Sequence, residues 1–301
     1  MNQKQQKLGI LITLIGGCLW GLSGACGQYL FTQKAACSDW LVPIRLFIAG
    51  SAMTLYYLIT NRADCKRIWS TKKTAFALIC YGILGLMLCQ YSYFKAIEYS
   101  NAGTATVLQY VSPVLVMITV CIMEKRLPGI IQIFAVLLAL AGVFLLATQG
   151  NIHQLVISRP ALFWGLFSAG TVVLYNLIPR GLMKTYSTPF LLGWAMLIGG
   201  IVLCLIRRPW QYHPIIDMQS LLCLAFIIIF GTCIAFSLYM QGVKLIGPEK
   251  ASLYACIEPV AATFFSAFWL KTAFTPIDIL GFFCIISTLF LITFWGNAKK
   301  V

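Results

Sequence analysis

Acidic residues are scarce in this chain. Eight Asp and Glu stand against 22 Lys and Arg, and charged residues make up only 10 % of the 301 positions. A globular chain in water carries about 25 %. So few charges cannot coat a water-facing surface, so lipid has to cover most of the molecule. Histidine is nearly missing as well: His153 and His213 both fall in expected loops, which excludes a histidine proton relay at membrane depth. The 12 Cys form no CxxC pair and no Cys/His cluster, so no metal, cofactor or disulfide framework is expected. A Cys inside an apolar run serves as a small apolar residue. No GxxxxGK[ST] loop occurs, so ATP cannot drive the protein directly. Long polar stretches are also missing. The longest connections, 61–73, 149–159 and 207–219, are too short to hold a soluble domain.

What is present is apolar sequence, 60 % of the chain. A helix needs about 20 mostly apolar residues to cross a bilayer, at about 1.5 Å of rise each. Ten runs qualify: 8–30, 41–60, 74–94, 103–123, 127–148, 160–179, 188–206, 220–241, 250–270 and 276–296. The expected fold is an all-α polytopic membrane protein of about ten transmembrane helices. The first run is too long for a signal-peptide core and is expected to stay as a span. The net charge of +14 is spread over short loops rather than gathered on one face, so no nucleic-acid partner is expected. With the N-terminus in the cytoplasm, fifteen of the 22 Lys and Arg fall inside and six outside, and Arg45 lies within a span. That bias matches the positive-inside rule and places both termini in the cytoplasm.

The chain also repeats itself. Segment 81–147 aligns without a gap onto 227–293, an offset of 146. Gly85 falls on Gly231, Tyr93 on Tyr239, Ala105 on Ala251, Pro113-Val114 on Pro259-Val260 and Lys125 on Lys271. Trp20-Gly21-Leu22 is answered by Trp164-Gly165-Leu166. The expected units are 1–150 and 151–301, each of five spans. A unit with an odd number of spans must insert upside down relative to its partner. The charges agree, because loop 61–73 carries five basic residues and its mate 207–219 carries two. Inverted repeats about a midplane site are a common build of secondary transporters.

At these residues the sequence resembles the EamA-type permeases of the drug/metabolite transporter superfamily. The resemblance rests on Trp20-Gly21, Asn101-Ala102-Gly103-Thr104-Ala105, Ser112-Pro113, Glu124-Lys125-Arg126-Leu127, Ala141-Gly142-Val143, Trp164-Gly165 and Glu258-Pro259-Val260, and it covers nearly the whole chain. It implies export of amino acids or other small metabolites. The chain departs from the family pattern twice: Ser112 stands where a Glu often precedes the first Pro, and Leu270-Lys271 where an acid often follows the ninth span.

Ionisable groups inside a bilayer are costly and mark function. Arg45 lies a few residues into the second span, where it could bind a substrate carboxylate, snorkel to the outer interface or pair with a helix end. Glu258 lies about 13 Å into the ninth span by helical rise, too deep to snorkel. It is a candidate for proton coupling or for binding a substrate amine, against a plain hydrogen bond to a neighbouring helix. Pro113 and Pro259 are candidate hinges or structural kinks. Trp20, Ser23, Gln28, Gln90, Tyr93, Gln109, Tyr175, Asn176, Tyr239 and Tyr254 could line a pocket for an amphipathic or aromatic solute, although each could equally serve helix packing. Lys95 and Glu98 are expected to form a local pair.

The reading expected from sequence is a secondary transporter in the bacterial inner membrane. It would act on a small molecule by alternating access, driven by protons or by the substrate gradient. A lipid-modifying enzyme would need clustered acids or a nucleophile–base pair at depth, and a channel would need a filter motif; neither is visible. Oligomeric state is left open, a homodimer included.

Overall fold

The computed structural model describes residues 3–151, 155–246, 251 and 254–294, and every regular element among them is helical. His153, Lys250, Lys299 and Lys300, which entered the topology argument, lie outside the described residues. Eight helices are long and apolar enough to cross a membrane: Gln3–Gln33, Ser38–Thr60, Lys72–Tyr99, Ala102–Met123, Ile130–Thr148, Arg159–Arg180, Thr188–Arg207 and Met218–Ile246. Two shorter apolar helices, Ile257–Phe268 and Pro276–Leu291, fill the ninth and tenth expected positions. This is a multi-pass membrane protein, and its spans are numbered here in that order. The fifth span shows why lipid is the solvent. It exposes Phe134, Leu137 and Leu140 while burying Ala135, Ala139 and Gly142. Both faces are apolar, and the small residues are on the protein side.

Loop 61–73 departs from expectation by holding a helix of its own, Arg62–Ser70. Asn61 caps it by accepting from the Asp64 backbone N–H at 3.3 Å. Cys65 and Ile68 are buried, whereas Arg62, Lys66 and Arg67 face outward. With one buried edge and one basic edge, it is an amphipathic helix suited to the membrane interface, and it is too short for a span-length hydropathy window to register.

The repeat is visible in backbone detail. The third and eighth spans each contain one widened π-helical stretch, Tyr81–Met87 and Ile229–Ile234, and these coincide to within two residues at the offset of 146. The fourth span is interrupted at Tyr110 (φ −71°, ψ 1°) and the ninth at Cys256 (φ −61°, ψ −3°), the paired position. Ser112–Met123 and Ile257–Phe268 resume after these interruptions, with Pro113 and Pro259 in their first turns. Proline is tolerated there because the first N–H groups of a helix have no intrahelical partner. Lys125 (φ 51°) and Lys271 (φ 55°), also paired, share the left-handed conformation.

The halves are inverted. A Cβ on Gly50 would meet the Leu197 backbone, one on Gly200 the Phe47 backbone, and one on Gly193 Met53 and the Thr54 backbone. Along the second span the contact points on the seventh therefore run backwards. The fifth and tenth spans repeat this: Gly142 meets Ile285, and Gly281 meets Leu146. Equivalent helices thus lie antiparallel, as a pseudo-twofold axis in the membrane plane requires. The first span of each half is exchanged. Gln3–Gln33 packs mainly on the eighth and ninth spans, and Arg159–Leu177 packs on the third and fourth.

Backbone contact at Gly50 leaves no room for a side chain, which gives a stability test. Gly50→Val should destabilise the bundle by about 1–3 kcal/mol, the usual cost of overpacking. Gly170→Ala, where a Cβ meets nothing within 4 Å, should leave the detergent-solubilised melting temperature unchanged. Equal melting temperatures for both variants would contradict the close approach of the second and seventh spans.

Candidate functional site

The widened turn of the eighth span sets the position of the deepest cation. A stretch wound i→i+5 disturbs the regular hydrogen-bond ladder and is frequent at functional sites. Here Gly231 has no side chain because Ser23 of the first span occupies the place a Cβ would take. Its carbonyl accepts from Arg45 Nη2 at 3.4 Å. Arg45 Nε donates to Thr232 Oγ1 at 2.8 Å, and Nη1 to Gln90 Oε1 at 3.4 Å. The guanidinium lies 4.9 Å from the Phe94 ring centroid, and the residue is 3 % exposed. The structure therefore excludes the snorkelling reading of Arg45. Its partners are all neutral, and no ion pair among the described residues includes it. A buried cation without an ion pair is costly.

Glu258 lies on the other side of the cluster. It follows the interruption of the ninth span, and its Oε2 accepts from the Tyr110 hydroxyl at 3.2 Å. The same hydroxyl also reaches the Ala255 carbonyl at 3.1 Å. Tyr110 sits at the matching interruption of the fourth span, so the two breaks meet across the pseudo-twofold axis. Tyr110 escaped the sequence reading, although its place just before Ser112-Pro113, opposite Glu258-Pro259, was a usable signal. Glu258 is only half-buried despite its depth, as are Gln90, Gln109, Tyr110, Tyr175 and Tyr239. These side chains keep some accessible surface at mid-span depth.

The remaining candidates sort clearly. Trp20 packs on Phe236 (4.9 Å between ring centroids) and Tyr239 (5.2 Å). Trp20 Nε1 and Ser23 Oγ are buried without a hydrogen-bond partner, each at a cost of about 1–3 kcal/mol unless a guest or water satisfies it. Gln109 donates to Ser168 Oγ at 2.6 Å, joining the fourth and sixth spans. Tyr175 packs on Tyr81 at 5.8 Å. Tyr93 pairs with Thr106 Oγ1 at 2.8 Å and is buried. Gln28 Oε1 accepts from Ala102 N and Ser266 Oγ and its Nε2 donates to Thr272 Oγ1, so it clamps helices together. Tyr254 is half-buried just ahead of the ninth-span interruption. Asn176 is exposed, and its amide donates to the Val172 carbonyl one turn back, so the structure does not bring it to the cluster.

One end of the bundle is tied by charge. Lys95 pairs with Asp39 and Glu98, each at 3.2 Å, and Arg207 pairs with Asp39 at 3.3 Å. Asp39 also accepts from the Tyr91 hydroxyl at 2.6 Å. Lys34 pairs with Asp217. The Lys95–Glu98 pair expected from sequence is thus part of a network joining the second, third and seventh spans, while Lys34 and Asp217 join the first and eighth. Hydrogen bonds from Lys34 and Ser220 hold the Asp217 carboxyl down to about 2. It stays ionised at every physiological pH, so proton uptake cannot release this tie. At the opposite end, the ion pair among the described residues is Arg126–Glu124, two positions apart.

The EamA-like transporter family profile matches residues 7–148 and again 159–294. The chain belongs to the EamA-like transporter family. The EamA unit is thus present twice, as the internal repeat required. Among relatives, an uncharacterized inner membrane transporter, YicL, of Salmonella typhimurium is 36 % identical over 95 % of both chains. A Bacillus subtilis transporter, YwfM, is 25 % identical over 90 % of this chain and 88 % of its own. A chloroplastic WAT1-related protein of Arabidopsis thaliana is 22 % identical over 73 % of this chain and 55 % of its own. A solved crystal structure superposes with a TM-score of 0.62 at 17 % identity, covering 97 % of this chain and 99 % of its own; this likeness concerns the fold. The EamA assignment and these relatives make the protein a membrane transporter rather than an enzyme.

Proposed function

We propose that this EamA-family chain is a secondary transporter that exports a small zwitterionic metabolite, an amino acid or similar, by alternating access coupled to protons. One observation carries the reading. Arg45 of the first half and Glu258 of the second are close enough to feel each other's charge without forming an ion pair, and each is bonded only to neutral groups. A cation and an acid held apart in this way match the carboxylate and ammonium of an α-amino acid. Trp20, Ser23, Gln90, Gln109, Tyr175, Tyr239 and Tyr254 supply the aromatic and polar wall.

The bodies that rock are the two repeats with their first spans exchanged, and the paired interruptions before Pro113 and Pro259 are the hinges. In this reading the ion network around Asp39 and the Lys34–Asp217 tie form the closure of the outer end. Positive-inside bias puts both termini in the cytoplasm, and the name of the Salmonella relative supports an inner-membrane location.

Proteoliposomes loaded with neutral amino acids test the reading. Saturable uptake with counterflow is the expected result, whereas linear flux without counterflow would contradict a carrier. Single cysteines replacing Arg67 and Arg208 should be labelled by membrane-impermeant reagents from opposite sides, the former from the cytoplasm. Labelling of both from one side would overturn the proposed insertion.

A further inference from the structure

A groove of about 510 Å³ lies away from the polar cluster, where the second span, the helix Arg62–Ser70 and the seventh span meet. Its volume falls within the range of roughly 300–1,000 Å³ common to ligand clefts. Its chemistry is divided along its length. One end is apolar: Leu55, Leu58 and Ile59 are exposed on the second span. The other end is basic, with Arg62 and Lys66 four residues apart and therefore on one face of the short helix. The floor is aromatic. Trp69 meets Trp194 of the seventh span edge-on at 5.3 Å.

Neither cation has a carboxylate within ion-pair distance among the described residues. The nearby acid, Asp64, is engaged by the Asn61 amide at 2.7 Å. It is two residues from both Arg62 and Lys66, hence on another face of the helix. Arg62 spends its Nε on the Leu58 carbonyl at 3.2 Å, which leaves its terminal nitrogens to donate outward. The helix thus presents paired donors directly above an apolar slot at the membrane interface.

We infer that this groove is a binding site for one anionic phospholipid of the phosphatidylglycerol class. The phosphate sits between Arg62 and Lys66, and an acyl chain lies along Leu55, Leu58 and Ile59. Charge complementarity selects the anionic headgroup, and the apolar slot selects a lipid over free phosphate. Basic interfacial pockets between spans are known to attract anionic headgroups. The position has a consequence for the fold: the second span belongs to the first half and Trp194 to the second, so a seated lipid bridges the seam between inverted repeats. The inference is independent of what the polar cluster carries, because its test reads binding.

Native mass spectrometry of the detergent-purified full chain, with phosphatidylglycerol or phosphatidylcholine added, tests it. The protein should retain one phosphatidylglycerol in preference to phosphatidylcholine, and inorganic phosphate alone should not displace it. The double variant Arg62→Gln, Lys66→Gln should bind phosphatidylglycerol about thirtyfold more weakly, the factor supplied by two interfacial cations. The charge-conserving exchange Arg62→Lys, Lys66→Arg should stay within a few-fold of the native chain. Equal retention of both lipids, displacement by phosphate, or equal loss in the charge-conserving variant would each overturn the assignment.

Discussion

Arg45→Gln is expected to abolish counterflow of zwitterionic substrates while leaving the bundle folded and no less stable. Two terms of opposite sign lead to this. The guanidinium keeps its charge in the protein interior, and its partners here are the hydroxyl of Thr232, the amide of Gln90, a carbonyl and an aromatic face. Dipoles of this kind orient a cation without neutralising it, so the empty site bears the cost of a desolvated charge. Removing that charge relieves the cost, much as apolar replacements of buried ion pairs are often neutral or stabilising. A substrate carboxylate loses its only strong partner in the same step. Charge-assisted hydrogen bonds contribute about 1.5–3 kcal/mol each, so loss of a two-pronged contact reduces affinity by roughly two to four orders of magnitude. Arg45→Lys keeps the charge but not the planar fork, and should fall in between. A thermal melt and a counterflow assay on the same preparation decide the matter. Arg45→Gln with native transport, or with a collapsed melting temperature, would contradict the role given to Arg45.

The second large effect is expected at Glu258. Of the seven acids among the described residues, it is the one at mid-span depth. Asp39, Glu98 and Asp217 are tied up at one end of the bundle, Glu124 pairs with Arg126, Asp64 is held by Asn61, and Asp278 bonds Thr275 at the start of the tenth span. A carboxyl that couples transport to protons must take up and release one during the cycle, and Gln cannot. Glu258→Gln should therefore lose accumulation driven by a pH gradient, while exchange of labelled for unlabelled substrate persists only at raised substrate concentration, because the amide accepts from the substrate ammonium without its charge. The amide can still accept from Tyr110, so the contact between the two interrupted spans survives and unfolding does not explain the loss. Tyr110→Phe removes that contact and keeps the carboxyl, and should slow transport a few-fold with the pH dependence intact. Proton-driven accumulation by Glu258→Gln at the native level would end the coupling proposal.

How much of this could be read in advance differs by element. The span limits were legible because hydropathy reports directly on the solvent: the seventh span, expected at 188–206, runs Thr188–Arg207. The helix Arg62–Ser70 was not legible, because nine residues with three cations look like a loop to any window long enough to find a span. Pro113 and Pro259 marked the interruptions, yet the helices break at Tyr110 and Cys256, ahead of the prolines, since a proline at a helix start continues the chain without strain. Arg45 was ambiguous in sequence because its distance from the span end allows both snorkelling and burial. Only the partner 187 positions away, Thr232, decides between them.

The sequence by itself determined the solvent, the number of crossings, the twofold repeat and its inversion. These follow from composition, from periodicity and from the parity of five spans, which are properties of each segment taken alone. The tertiary structure decided which polar groups meet. It exchanged the first span of each half, widened one turn of the third and eighth spans, and brought the Arg45 side of one half to the Glu258 side of the other. Those outcomes depend on contacts between residues far apart in the chain, where glycines such as Gly50 and Gly231 let backbones close on their neighbours. No local pattern records which neighbour that is.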